Sequence, residues 1–170
     1  MRISRRLVVV AIASALCAGP SAAQSIEALS FGAGLMDQGL WEGGEAAAFN
    51  LRVEMPWRGM LLLEPGLVFA RGNLPGEGGA TLLVPELQAQ LQLPLGGAAA
   101  YLGAGMGMAL AWRAEENGGF AADPAPSIGA GVRIDYGGLL GFVIDGRLRG
   151  SGLDFDDRTR ELTVGVRLRR

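Results

Sequence analysis

The segment ELTVGVRL, residues 161–168, places an apolar side chain at every even position and a polar residue or glycine at every odd one. A period of two is that of an extended strand, whose successive side chains point to opposite faces of a sheet. The same alternation occurs in ELQAQLQL, residues 86–93, and in FNLRVEM, residues 49–55. These segments predict strands with one apolar face and one polar face.

The alternation continues through residues 128–136 and 142–149, and helical periodicity is hard to find beyond residue 24. The pattern predicts an all-β chain of eight strands. Their predicted ranges are 26–36, 46–56, 60–70, 81–93, 98–112, 126–136, 139–149 and 159–169.

The connections between these strands alternate in length. Three are short and carry turn residues: PWRG at 56–59, PLGG at 94–97 and GG at 137–138. Four are longer and more polar, at residues 37–45, 71–80, 113–125 and 150–158. An antiparallel up-and-down barrel with both chain ends on the short-turn side gives this order. Membrane β-barrels have this arrangement, with short periplasmic turns and longer outer loops.

The N-terminal segment has the features of a secretory signal. Three arginines at positions 2, 5 and 6 precede an apolar run over residues 7–17, and Ser21-Ala22-Ala23 supplies small residues for cleavage. We expect residues 1–23 to be a signal peptide cleaved after Ala23, and residues 24–170 to form one barrel domain. The single cysteine, Cys17, lies in this signal, and Leu16 does not fit lipoprotein processing at that cysteine.

Composition excludes several kinds of chemistry. All 15 basic residues among the 170 are arginine, and there is no histidine. Histidine-dependent nucleophilic catalysis, histidine metal sites and lysine Schiff bases are therefore excluded. The arginines are spaced out among carboxylates, so no basic stripe marks a nucleic-acid partner. We expect no cofactor and no catalytic residues.

The two faces of the predicted strands differ sharply in composition. One face is broad, apolar and almost free of charge, and we assign it to lipid. The other carries large charged side chains between glycines, as in Gly103, Gly105, Gly129 and Gly131. The narrow lumen of an eight-stranded barrel needs such small neighbours for its large side chains. The predicted charge network of the lumen comprises Arg52, Glu54, Glu64, Glu86, Arg133, Asp135, Asp145, Arg147, Glu161 and Arg167.

Three segments carry a family resemblance: YLGAGMG at 101–107, GAGV at 129–132 and LTVGVRL at 162–168. With the signal, they resemble the small outer-membrane β-barrel superfamily of the OmpA/OmpX-like type. The resemblance implies an eight-stranded barrel in a bacterial outer membrane, with lipid, the barrel-assembly machinery and periplasmic chaperones as partners. Such barrels usually end on an aromatic residue that helps the assembly machinery recognise the last strand, whereas this sequence ends Leu168-Arg169-Arg170. Either the recognition signal is looser here or the Arg170 end weakens membrane insertion.

Other motifs fit ordinary structural roles better than chemical ones. The GAGMG segment at 103–107 continues the strand alternation, so it is not a dinucleotide loop. The DFDD segment at 154–157 lacks the glycine and distal glutamate of a calcium loop, which favours a solvated acidic loop. Pro65 and Pro85 fall inside predicted strands, where we expect a bulge or a strand end. We expect Trp57 and Tyr136 at the inner interface, and Trp112 and Phe49 at the outer one.

Two functions remain open from the sequence. The first is a non-enzymatic outer-membrane barrel with a plugged polar lumen and a structural or adhesive role, whose loop ligand is not identifiable. The alternative is a soluble exported barrel that holds a small apolar ligand inside, as a lipocalin does.

Overall fold

The computed structural model describes residues 26–38, 44–74, 77–113, 119–151 and 154–170. The predicted signal over residues 1–23 lies outside these ranges. Eight strands occupy them: β1 (Ala28–Gln38), β2 (Gly44–Arg58), β3 (Leu61–Leu74), β4 (Glu77–Pro94), β5 (Ala98–Arg113), β6 (Phe120–Tyr136), β7 (Leu140–Ser151) and β8 (Asp154–Arg169). Across the described residues, no helix is long and apolar enough to cross a bilayer.

The strands form a single closed barrel in which each strand pairs with its neighbours in sequence. All pairings are antiparallel, and β1 closes the barrel against β8 from Ala28↔Arg169 to Asp37↔Arg160. The predicted all-β class, the eight strands and the up-and-down topology are confirmed. Closure pairs the backbone of the first and last strands, so neither is left as an exposed sheet edge.

The side-chain alternation of β8 shows which face lies inside. Val164 and Val166 are 56% and 42% exposed, whereas Thr163 and Arg167, which flank them in the sequence, are 2% and 3% exposed. The apolar face therefore points away from the barrel axis and the polar face points into the lumen. This is the reverse of a soluble barrel, in which water would contact the outer face.

The strands are longer than predicted, mainly at the end where the longer connections lie. β4 begins at Glu77 and β6 at Phe120, against predicted starts at 81 and 126. The intervals between strands at this end shrink to residues 39–43, 75–76, 114–119 and 152–153. Two of these intervals, 39–43 and 114–119, remain longer than the turns at the other end. The expectation of longer connections at 71–80 and 150–158 was wrong, because cross-strand hydrogen bonds carry the ladder into sequence that reads locally as loop.

Tight turns join the strands at the other end. Gly59, Gly96, Gly137 and Gly138 have φ between +56° and +87°, the left-handed region that glycine adopts without a Cβ clash. β2 continues to Arg58 through a register shift between Pro56 and Arg58, so the first turn lies at 59–60 rather than 56–59. We name these two ends of the barrel the turn end and the loop end.

The expectation of a bulge or strand end at Pro65 and Pro85 was wrong. Both prolines lie within the continuous β3–β4 ladder, as the pairs Pro65↔Leu87 and Leu67↔Pro85. Pairing of β3 with β2 is interrupted beside Pro65, and pairing of β4 with β5 is interrupted beside Pro85. Both pairings resume in the same register. Each proline therefore removes a ladder donor on one side without displacing the chain.

Candidate functional site

The ten predicted luminal residues all lie on inward-facing strand positions, and nine of them are buried. The exception is Asp135, whose side chain is 35% exposed at the turn end. Among the described side chains, the buried charged ones are five arginines and five acids. They are Arg52, Arg133, Arg147, Arg149 and Arg167 with Glu54, Glu64, Glu86, Asp145 and Glu161. The formal charges of this set cancel.

Arg147 joins three acids at the middle of the lumen. Its Nη1 donates to Glu86 Oε1 at 2.5 Å and its Nε to Asp145 Oδ1 at 2.8 Å. Its Nη2 donates to Glu64 Oε1. These acids come from β3, β4 and β7, so one guanidinium ties together strands on opposite sides of the barrel.

A second set of ion pairs runs from the middle of the lumen to the turn end. Arg133 donates from Nη2 to Glu64 Oε2 at 2.7 Å and from Nε to Glu54 Oε1 at 3.0 Å. Arg167 then donates to Glu54 Oε2 at 2.6 Å and to Asp135 Oδ1 at 2.7 Å. The chain of charges thus reaches the half-exposed Asp135, which also pairs with Arg169 at 3.0 Å.

Arg52 and Arg149 extend the network toward the loop end. Arg52 donates to Asp145 Oδ1 at 2.8 Å and to Glu161 Oε1 at 3.1 Å. Arg149 lies 3.0 Å from both oxygens of Glu86 and also pairs with Glu161. Arg149 was missed in the sequence analysis because it falls at the predicted end of strand 7. Its odd position, in phase with residues 145 and 147, was the signal that could have placed it.

Uncharged polar side chains fill the remaining space between these ions. Gln90 donates to Glu64 at 2.9 Å, Asn50 donates to Thr163 at 2.9 Å, and the hydroxyl of Tyr101 donates to Asp145. The Tyr101 ring centroid lies 4.0 Å from Cζ of Arg133, a cation–π contact. The lumen residues thus form a contiguous polar network, in which partnering offsets the cost of removing charges from water.

Inward-facing glycines make the room for these large side chains. A Cβ at Gly103 would lie 2.8 Å from Cγ of Gln90, and one at Gly131 would lie 2.6 Å from Cζ of Tyr101. Both distances are too short for real atoms. Each glycine therefore leaves the volume that a neighbouring long side chain occupies.

The loop-end half of the lumen differs from the expected polar interior. Here most inward positions of β1–β6 are apolar and mostly small, and they pack into one buried cluster, whereas the inward Arg149 and Thr159 of β7 and β8 are polar. Its members are Met36, Ala46, Ala48, Val68, Ala70, Leu82, Val84, Ala111 and Ala125. The lumen is thus charged toward the turn end and apolar toward the loop end.

The outer face forms a continuous apolar band around the barrel. On β8 the band lies between the exposed residues Arg160 and Arg170, an interval of 10 residues. At about 3.4 Å per residue and a tilt of about 40°, this corresponds to roughly 25 Å, the height of the apolar band of membrane barrels. Trp57 and Tyr136 are exposed at the turn end, and Trp112 lies at the loop end with its ring centroid 5.4 Å from that of Phe120.

The buried charged side chains of the described lumen are engaged with one another. No group of three His, Cys, Asp or Glu side chains in the described ranges could hold a metal ion. The carboxylates Glu54, Glu64 and Glu86 are each engaged by arginine, which leaves no free general base among them. The side chains of Asp154, Asp156 and Asp157 lie outside the described residues.

The closed eight-stranded barrel has the fold that the resemblance to small outer-membrane β-barrels implies. Solved structures confirm the likeness of fold. Neisserial surface protein A (NspA) has a TM-score of 0.69 at 13% identity, covering 84% of this chain and 95% of that one. Ail, the attachment invasion locus protein of Yersinia pestis, has a TM-score of 0.61 at 10% identity, covering 85% and 97%.

An enzyme also shares this fold. The outer-membrane enzyme PagL has a TM-score of 0.58 at 15% identity, covering 84% of this chain and 99% of its own. No protein-family model and no curated protein sequence matches the chain significantly. At these identities the comparisons define the fold alone.

Proposed function

We propose that this chain is a non-enzymatic protein of a bacterial outer membrane whose lumen is plugged by the charge network. The observation that carries the proposal is the outward apolar band. None of the described outward side chains between its charged edges is charged, from Leu29 on β1 to Leu168 on β8. Exposed to water, the band would be a far larger apolar patch than soluble proteins carry.

The lipocalin-like alternative requires the opposite arrangement. A soluble barrel that holds an apolar ligand needs a polar exterior and an apolar cavity. Here Leu102 and Phe142 are 65% and 50% exposed on the outside, whereas Glu64 and Arg147 are buried inside. The membrane proposal accounts for both faces at once.

A structural or surface-interaction role fits the loop end. By their names, NspA is a surface protein and Ail is an attachment protein, and Ail has also been solved with the heparin analogue sucrose octasulfate. In this chain β5 and β6 extend beyond the last β6–β7 pair, Ser127↔Arg149, to the pair Trp112↔Phe120. This hairpin, rather than long loops, supplies the described surface that a partner would meet.

The proposal that the chain is not an enzyme rests on its composition. PagL shows that the fold can host an enzyme, so fold does not decide the matter. The chain has no histidine and no lysine, and its buried carboxylates are paired with arginine. Its proposed partners are membrane lipid and, during biogenesis, periplasmic chaperones and the barrel-assembly machinery. Backbone pairing of β8 reaches Arg169, whose N–H donates to Leu139 O at 2.9 Å, despite the arginine-rich end.

Cell fractionation followed by gel migration with and without boiling tests the proposal. We expect the protein in the outer-membrane fraction, with a mobility that changes on boiling because a folded barrel resists detergent until heated. Recovery as a soluble periplasmic protein whose mobility is unaffected by boiling would overturn the proposal and favour the lipocalin-like alternative.

A further inference from the structure

One strand edge of the barrel has no neighbour at the loop end. β6 pairs with β5 up to Trp112↔Phe120, whereas its pairing with β7 ends at Ser127↔Arg149. Among the described strands, residues 120–126 of β6 therefore pair on one side only. We name their other side the open edge. An edge of this kind is a template on which another extended chain can form backbone hydrogen bonds.

The hydrogen-bond pattern shows which backbone groups face the open edge. The N–H of Asp135 donates to Gly97 O at 3.0 Å, so the backbone of Asp135 faces β5. The β5–β6 register continues from there without a shift, and backbone direction alternates along a strand. Odd-numbered residues of β6 therefore face β5, and even-numbered ones face away from it. The residues whose backbone faces the open edge are Phe120, Ala122, Pro124 and Pro126.

Proline occupies two of these four positions. Pro124 and Pro126 have no N–H, so this part of the edge offers carbonyl acceptors alone. Both prolines stay in the β5–β6 ladder, opposite Met108 and Met106. They lie where the missing N–H costs the barrel no hydrogen bond, because that group would point to the side without a neighbour.

A carboxylate lies at the centre of the same edge. Asp123 is exposed. If the edges of two copies paired antiparallel with full overlap, Asp123 would face Asp123, and the hydrogen-bonded pairs would be Phe120 with Pro126 and Ala122 with Pro124. Each of these pairs contains a proline and lacks one of its two hydrogen bonds. Like charges directly opposite each other destabilise such a pairing further.

We propose that Pro124, Pro126 and Asp123 keep the open edge of β6 from pairing with a second copy of the chain. Exposed sheet edges are protected by prolines and by charged side chains, and here both fall on residues that have no neighbouring strand. The inference concerns the barrel itself and does not depend on the proposed membrane location.

Sedimentation velocity of the purified, folded barrel in a non-ionic detergent tests the proposal. We expect the unaltered chain to be monomeric. Pro124→Thr/Pro126→Thr should self-associate about 10- to 100-fold more tightly, because threonine restores both N–H groups and favours strands. The matched control is Pro65→Thr/Pro85→Thr, at two prolines inside the closed barrel, and should remain monomeric. Equal association of the two double variants would overturn the proposal, as would a monomeric Pro124→Thr/Pro126→Thr.

A cysteine cross-link shows whether the contact forms at this edge. The one cysteine of the chain, Cys17, lies in the predicted signal, so Asp123→Cys adds a single thiol to the barrel. With Pro124→Thr/Pro126→Thr, oxidation by copper phenanthroline should link two copies through this thiol. With the native prolines the yield should be several-fold lower. Equal yields with and without the prolines would overturn the proposal.

The boiling-dependent gel shift shows that each variant is folded before it is compared. If the double variant does not fold, Pro124→Thr and Pro126→Thr are measured singly, each with one restored donor and a smaller expected increase in association. If the unaltered chain folds and none of these three variants does, the proposal is overturned, because protection of an unpaired edge is not needed to close the barrel.

Discussion

At the scale of single residues, the lumen depends on long-range partnering of charges. Arg147 contacts Glu86, Glu64 and Asp145, each of which is also held by a second arginine. Removing one cation therefore leaves several buried carboxylates short of positive charge. Breaking a buried pair in this way costs more than the intact pair contributes, because the remaining charge has lost its water and its partner.

We expect Arg147→Ala to destabilise the folded barrel by about 3–5 kcal/mol, the range for removing one partner of a buried pair. Urea unfolding in lipid vesicles, followed by tryptophan fluorescence, measures the change. Arg71→Ala, at an exposed outward position of β3, is the control and should have little effect because exposed charges contribute little. Equal stability of the two variants would contradict the assignment of Arg147 to a buried charge network.

At the scale of the strand, the two faces have opposite requirements. Along β5, Leu102 is 65% exposed on the outer face while Tyr101 beside it is 4% exposed in the lumen. In the proposed membrane setting, a charge on the outer face would meet hydrocarbon, whereas bulk on the inner face meets the network. The same change of residue type therefore has different consequences at neighbouring positions.

We expect Leu91→Arg, Leu102→Arg and Val164→Arg each to destabilise the barrel in a bilayer by roughly 2–4 kcal/mol near its midplane. Tyr136→Arg, at the 75% exposed position of the turn end, is the control and should cost about 0–1 kcal/mol as an interfacial site. Folding into phosphatidylcholine vesicles, assayed by the boiling-dependent gel shift, measures the difference. If arginine at all three positions left folding into vesicles unchanged, the assignment of the two faces would be reversed.

At the scale of the whole molecule, closure of the barrel decides at which end the last strand finishes and which side chains share the lumen. The turn end carries the C-terminal Arg170, whose N–H donates to Glu27 O at 3.0 Å. Eight strands enclose an interior that side chains can fill, whereas water-filled porins have about sixteen strands. Here the buried charges lie mainly toward the turn end, and the buried apolar cluster lies toward the loop end.

An epitope tag inserted at Gly118 or Gly152 should be labelled on intact cells, whereas one at Gly96 should not. The first two positions lie outside the described residues, between strands at the loop end, and Gly96 forms a turn at the opposite end. Loop tips tolerate insertions, so the folded barrel should survive all three. Equal antibody labelling of the three tagged proteins would contradict this orientation.

Planar bilayers that contain the purified protein should show no large, steady, weakly selective conductance. This follows from the proposal that the network and the apolar cluster plug the lumen, and Arg147→Ala should then destabilise the barrel before it opens a pore. Reproducible porin-sized channels from the unaltered protein would contradict the plugged lumen.

The sequence by itself determined the strand number, the topology and the face that each side chain takes. These follow from local rules, because side chains along a strand alternate with a period of two and glycine favours turns. ELTVGVRL and the other alternating segments could therefore be assigned to strands without knowing which strands lie beside them. Nine of the ten predicted luminal charges are buried for the same reason. The tenth, Asp135, is half-exposed because it lies near the turn end, where the barrel opens to water.

Tertiary structure alone decided the ends of the strands, the pairing of the charges and the division of the lumen. Strand ends depend on cross-strand hydrogen bonds, which extended β4 and β6 through glycine- and proline-rich sequence that resembles loop. Arg147 and Glu86 are 61 residues apart, so only closure of the barrel brings them together. The apolar loop-end half likewise arises when closure gathers Met36, Val68 and Val84 from three strands into one layer.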